Sequence, residues 1–308
     1  MTSTLVARPD IQAFLDRIAG LDDEGGDART KAIVRRIVSD LFATIDDFDV
    51  NEDEFWKAIN FLASAAPEFG LWAAGLGFEH YLDIRMDIAD QQAGIEGGTP
   101  RTIEGPLYVA GAPRSTGFAR LDDGADTGET LVMKGRVLDQ DGKAVAGAIV
   151  DVWHANTLGN YSYFDPTQTA FNLRRQIETD ADGAYKFRSI LPSGYAVPAG
   201  GTTERLLDTL GRHGNRPAHI HFFVSAPGHR HLTTQVNIAG DAYLHDDFAY
   251  ATRDELIPPT ARREAPDAIH AEGLNAPFTE ILFDFTLLAT PDEEQQEASE
   301  RARVELAA

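Results

Sequence analysis

The hydrophobic period of this chain changes once along its length, and that change limits the folds open to it. Up to about residue 90 the apolar residues recur at spacings of three and four; from about residue 130 they fall in short runs. Between Ala28 and Ile45, the residues Ile33, Val34, Ile37, Val38, Leu41, Phe42 and Ile45 mark one helical face. Asn51 followed by Glu54 predicts a capping box, opening a helix with Phe55, Ile59, Phe61 and Leu62 as its buried side. Faces this broad pack either on the rest of the chain or on a second copy, and periodicity does not choose between the two. Residues 91–129, rich in Gly and Pro, read as a connector made mostly of turns. Beyond it, strands are expected at Thr130–Leu138, Ala148–His154, Ala184–Leu191, Ala218–Ser225, Thr233–Ile238 and Glu280–Leu288. Asp141-Gly142 and Asp182-Gly183 supply turn signals, and the spacing predicts a β-sandwich. The tail from Pro291 reads as a last helix, capped by Thr290 and Glu293, with Arg301 and Arg303 opposing the dipole near its end. The expected fold class is therefore α+β, mainly β: helices over 1–100, a β-sandwich over 101–290 and a C-terminal helix over 291–308.

Composition removes several functions. Lys and Arg number 27 against 49 Asp and Glu, a formal net charge of −22, which argues against nucleic acid and anionic membranes as partners. There is no cysteine, so disulfides, Fe–S clusters, thiolate zinc sites and thiol nucleophiles are excluded together. Any metal must be held by nitrogen and oxygen. The N-terminus is too poor in apolar residues for a signal peptide, and the longest apolar run, 69–78, is too short to span a bilayer. A cytoplasmic location is expected.

Within the strand expected at 218–225, His219 and His221 point to one face and Ile220, Phe222 and Val224 to the other. Two imidazoles on one face suit a shared metal; on their own they equally suit a solvated face. Oxygen donors are at hand in Tyr161, Tyr163 and Tyr195, and the abundant carboxylates leave a two-His, one-carboxylate ferrous site open. Spacing does not decide among these, nor against a binding module whose His-x-His is a surface feature or a zinc site.

Longer motifs add to this. Trp153-His154-Ala155-Asn156, Asn160-Tyr161-Ser162, Leu191-Pro192-Ser193-Gly194-Tyr195 and the run Gly211 to His221 stand in the order found in the intradiol ring-cleaving dioxygenases, which the chain resembles over nearly its whole length. Gly75 to Tyr81 and Thr102 to Tyr108 extend the likeness into the helical part and the connector. One departure is Tyr195-Ala196-Val197-Pro198, where the family often places Gly-Cys after the tyrosine.

The resemblance implies a mononuclear, non-haem Fe(III) bound by Tyr161, Tyr195, His219 and His221, with Tyr161 rather than Tyr163 as the ligand. It implies that catechol and O2 are the substrates and that the ring opens to cis,cis-muconate in aromatic degradation. Chlorocatechol or hydroxyquinol is the alternative substrate. Arg216 is then expected to stabilise negative charge developing on the ring, and Gln235 to support the site from behind. The pocket walls are expected from Leu71, Ala74, Ile103, Gly105, Pro106, Leu107, Phe248 and Ala249, a mainly apolar slot suited to a planar ring. His213, His229, His231 and His245 are left outside the metal shell. The helical region is expected to form a homodimer interface with a phospholipid in an apolar tunnel there. On a regular strand Arg216, three positions before His219, would face away from the histidines, so Pro217 has to redirect the chain.

Overall fold

The computed structural model describes residues 5–290. The chain divides into two compact units, Met1–Ala66 and Pro67–Ala308. The first holds α1 (Pro9–Ile18), α2 (Ala28–Asp47) and α3 (Glu52–Ala65). Each begins where local chemistry satisfies its free backbone donors. Pro9 occupies the first turn of α1, and Asp27 accepts from the Thr30 amide at 2.7 Å to cap α2. The predicted capping box opens α3, with the Glu54 amide donating to Asn51 and the Asn51 amide to Glu54, both at 3.1 Å. Within this unit α1 meets α2 through stacked Phe14 and Phe42 and through Arg35, which donates to Asp16 and Gln12. One expectation is corrected. The side of α3 expected to be buried is open, with Phe55, Ile59 and Leu62 exposed. Ile37 and Leu41 of α2 are also 54% and 56% exposed, because one copy of this unit offers those faces nothing to pack on.

The second unit opens with α4 (Phe69–Gly75) and α5 (Phe78–Gln92). The strands that follow are β1 (Arg114–Thr116), β2 (Phe118–Arg120), β3 (Thr130–Asp139), β4 (Ile149–His154), β5 (Arg174–Glu178), β6 (Ala184–Ile190) and β7 (Tyr195–Ala196). After α6 (Thr202–Thr209) come β8 (Asn215–Arg216), β9 (His219–Ser225), β10 (Leu232–Asn237) and β11 (Thr260–Arg263), then α7 (Pro266–Ala271), β12 (Phe278–Leu282) and β13 (Phe285–Leu287). One sheet has the order β1-β5-β4-β9-β10; the other has β11-β12-β3-β6-β2, with β13 also on β3. Between them lies a shared core that includes Leu131 and Met133 of β3, Phe187 of β6, Val150 of β4 and Phe222 of β9. This is the sandwich read from the sequence.

Several elements differ from the sequence reading. The connector carries β1 and β2, which extend one sheet each. The run expected as one strand over 280–288 is broken at Phe283 and Asp284. There the Phe283 carbonyl accepts from the Tyr185 hydroxyl and the Asp284 carboxylate from the Arg136 amide, while β12 and β13 pair in parallel with successive stretches of β3. β5 escaped the reading because its Arg-Arg-Gln-Ile-Glu composition lacks the β-branched run that marks a strand. The C-terminal helix expected over 291–308 lies outside the described residues. Among the described residues no helix is long and apolar enough to cross a membrane.

Phe187 has no exposed surface and meets Phe222 from the facing sheet, with ring centroids 6.3 Å apart. Phe187→Ala is expected to cost about 3–5 kcal/mol, read as a lower midpoint in urea unfolding.

Candidate metal centre

β9 divides its side chains between two environments. Ile220, Phe222 and Val224 enter the sandwich core, so His219 and His221 are turned to the outer face of the sheet. That face is roofed by loops, and both histidines are buried. Their rings lie 4.6 Å apart between centroids, with the two Nε2 atoms at 2.9 Å. His219 Nδ1 lies 2.6 Å from the Pro217 carbonyl, which only accepts, so the proton sits on Nδ1 and the Nε2 lone pair is left facing the site. Directly across β4, Trp153 pairs with His221 and stacks on it at 4.9 Å with an interplanar angle of 2°.

Two loops bring the tyrosines to this pair. Tyr161 follows β4, and its ring stands 6.3 Å from that of His221; Tyr195, on β7, stands 5.5 Å from His219 and 5.6 Å from Tyr161. The approach depends on two glycines. A side chain at Gly159 would strike Tyr195 Cβ at 2.6 Å, and one at Gly194 would strike the Arg216 carbonyl at 2.6 Å. Tyr163 is turned away by a backbone at φ 72° and packs on Phe171. Ala196 of the departing motif is exposed, while Val197 fills an apolar cluster beside the site.

The direction of Arg216 is resolved by a break in the chain. Residues 215–216 form β8, which pairs Arg216 with Tyr195 across β7; after Pro217 the chain resumes as β9. The guanidinium is thereby returned to the histidine face, with Nη1 3.1 Å from His219 Nε2. Its Nε and Nη2 donate to the two Asp247 oxygens at 3.1 and 3.0 Å, and Nη2 also donates to Gln235 Oε1 at 2.9 Å. Gln235 itself sits opposite His221 on β10. Burial would lower the pKa of Arg216, but Asp247 outweighs it and holds the cation firmly protonated. Sequence reasoning missed Asp247. One of two adjacent acids in a loop gives no pattern, although it immediately precedes two expected wall residues.

Burial pushes the His219 pKa down to about 3, helped by the Arg216 charge, and carries His221 well below its ordinary value. Both imidazoles are therefore neutral at ordinary pH. Burial, then Tyr195, raises the Tyr161 phenol well above its usual range. Its hydroxyl is buried without a hydrogen-bond partner. Among the described residues no three His, Asp or Glu side chains gather as a metal site, and the rings of Tyr161 and Tyr195 stand beside the two histidines.

The expected wall residues divide among several surroundings. Ala74, Ile103, Phe248 and Ala249 share one buried cluster with Val197, Leu207 and Ala251. A Cβ at Gly105 would be 3.9 Å from His221 Cε1, Pro106 packs over Gly70, and Leu107 lies against the cluster of Tyr108, Trp153 and Tyr161. Leu71 is half-buried on α4. The remaining histidines lie elsewhere. His213 bonds Asp246 and the Asn215 amide, His229 is half-buried and bridges to Ala289, His245 is exposed, and His231 packs on Phe223.

Residues 103–289 match the family described as Dioxygenase, and residues 27–94 the catechol dioxygenase N terminus. The chain belongs to the intradiol ring-cleaving dioxygenases. Within that family it is 65% identical to catechol 1,2-dioxygenase 2 of Acinetobacter lwoffii over 84% of this chain and 94% of that one. It is 53% identical to the catechol 1,2-dioxygenase of Pseudomonas sp. strain EST1001 over 96% and 99%. The mercury-inhibited catechol 1,2-dioxygenase of Acinetobacter sp. ADP1 superposes with a TM-score of 0.94 at 51% identity, covering 97% of this chain and 99% of that one. The family implies an iron cofactor. The donor set here fits one, with two neutral imidazoles facing a common point and a buried tyrosine oxygen lacking any partner.

His154, in the same motif as Trp153, is a satisfied core histidine. Its ring nitrogens lie 2.7 Å from the Ala155 carbonyl and 2.7 Å from Ser189 Oγ, and burial lowers its pKa to about 4. Below pH ~6.5 the unfolded chain takes up a proton that folded His154 refuses until about pH 4, so stability falls as pH drops through that window. The slope is up to about 1.4 kcal/mol per pH unit for the one proton. In His154→Gln the pH dependence of urea unfolding is expected to lose one proton between pH ~6.5 and ~4.

Proposed function

We propose that the chain cleaves catechol with O2 at a single non-haem ferric ion, opening the ring between its two hydroxyl-bearing carbons to give cis,cis-muconate. Both oxygen atoms enter the product, so no further reductant is required. The observation that carries this reading is the convergence of Tyr161, Tyr195, His219 and His221 on one buried point beside the Arg216 cation. These four residues would hold the metal. Phenolates are hard anionic donors that favour Fe(III), which when bound supplies Lewis-acid binding of the two catechol oxygens and activation of the ring towards O2.

The protein's own groups have distinct tasks. Tyr161 is 3% exposed and stays as a fixed anionic donor. Tyr195 is half-buried on a two-residue strand and is the donor suited to give way, its phenolate oxygen taking one catechol proton as substrate binds. The phenolates of Tyr161 and Tyr195 would offset most of the charge of a ferric ion held between them and the two neutral histidines. The high cost of an isolated buried charge is thereby avoided. Arg216, gripped by Asp247 and Gln235, presents Nη1 to the site and stabilises negative charge that develops on the substrate ring. The apolar walls exclude water and hold the ring in plane.

The substrate choice is supported by the catechol-cleaving relatives and by a pocket whose interior is apolar beyond the metal-facing edge. Such a wall separates hydrogen from methyl poorly, so methylcatechols are accepted in part. The exposed apolar faces of α2 and α3 support a homodimer, with a phospholipid held in the same apolar region, in a protein that works in the cytoplasm.

The pure protein is expected to be coloured by a tyrosinate-to-iron charge-transfer band; a colourless, iron-free protein with full activity overturns the reading. Tyr195→Phe and His221→Ala are expected to lose iron or turnover, and His229→Ala to lose neither, as measured by metal analysis and oxygen uptake. Arg216→Ala is expected to keep its iron and lose about 10²–10³ in kcat. Across catechol, chlorocatechol and hydroxyquinol, kcat/KM is expected to be highest for catechol, and a strong preference for hydroxyquinol overturns the substrate assignment.

A further inference from the structure

The connection from β4 to β5 carries Tyr161 on a strained stretch of backbone. Tyr163, Phe171 and Leu173 all hold positive φ, at 72°, 56° and 60°. Non-glycine residues seldom hold this region, so the surroundings must impose the shape. The closure is made at the base of the loop. Arg174, the first residue of β5 and 1% exposed, donates from Nε to Ser162 Oγ at 2.9 Å and from Nη2 to the Ser162 carbonyl at 3.1 Å. Ser162 Oγ in turn donates to the Asn172 carbonyl at 2.8 Å. The residue next to Tyr161 is thus tied to both the far end of the loop and the first residue of the following strand.

The same guanidinium lies 5.8 Å from the centre of the Tyr161 ring, over its face. Among the described residues Arg174 forms no ion pair with a carboxylate, and its Nη1 is buried without a hydrogen-bond partner. A buried cation left in this state is costly unless an anion completes it. Burial lowers the Arg174 pKa to about 10, and the strongest opposing influence is Tyr161, ahead of Asp151.

We propose that Arg174 is a positioning residue for the Tyr161 donor: with Ser162 it closes the loop over 162–173, and its fixed positive charge is completed by the metal-bound Tyr161 phenolate. The charge half rests on the ferric reading above; the closure half does not. Two readouts separate them. In metal-free protein, Arg174→Met, Arg174→Lys and Ser162→Ala are expected to speed amide hydrogen exchange over 161–174 by roughly tenfold or more, with β3 and β6 unchanged. In iron-loaded protein, Arg174→Met is expected to move the charge-transfer band to longer wavelength, because removing the cation raises the energy of the phenolate electrons. Arg174→Lys restores the wild-type position by keeping the charge. Unchanged exchange in Arg174→Lys and Ser162→Ala overturns the closure even if Arg174→Met fails to fold. An Arg174→Met band at the wild-type wavelength overturns the charge role. Absence of the band from wild type overturns the ferric reading itself and leaves the exchange result to decide the closure.

Discussion

The buried ion pair of Arg216 with Asp247 is the contact on which the candidate centre depends. A guanidinium with 4% of its side chain exposed needs a partner, and Asp247, 1% exposed, meets it through two oxygens. The acid is itself held by the amides of Ala249 and Ala251, so the pair fixes the stretch that supplies Phe248 and Ala249 to the pocket wall. On its other side Arg216 pairs across β8 with Tyr195, bonds Gln235 of β10 and reaches His219. One charge interaction thus sets Tyr195, His219 and the Phe248–Ala249 stretch, to which the proposed function gives distinct roles, in register. Removing either partner would leave an uncompensated charge in the interior, a loss of about 3–5 kcal/mol in comparable pairs.

Much of this was legible in the sequence where a simple period governs. The alternation of His219-Ile220-His221-Phe222 placed the histidines on one face because the strand period is two, and the sandwich core claimed the other residues as expected. The capping box at Asn51 was legible because it needs only two residues at fixed spacing. What escaped depended on contacts distant in sequence. The direction of Arg216 follows from the break at Pro217 and from pairing with a strand twenty residues upstream, which no local pattern announces. Asp247 and the Arg174–Ser162 contact have the same character. The side of α3 was misjudged because an amphipathic stripe states that a face must be covered without stating by what.

The proposed metal donors are distributed over elements of unequal firmness. His219 and His221 belong to a central strand flanked by β4 and β10, and Trp153 lies flat against one of them. Tyr195 rests on a two-residue strand and is half-buried. This inequality suits the proposed chemistry, in which Tyr195 is the donor that takes a proton from substrate.

The division of β9 between two faces has a further consequence. The residues that hold the sandwich together and those that surround the pocket share a backbone but hardly a side chain: Ile220, Phe222 and Val224 serve the first, while Ala74, Ile103 and Phe248 serve the second from other elements. Exchanges at Ala74, Ile103 or Phe248 therefore leave the sandwich core intact and confine their packing cost to the smaller cluster. A scaffold divided this way can vary one apolar cluster while the strand that carries the two histidines keeps its footing.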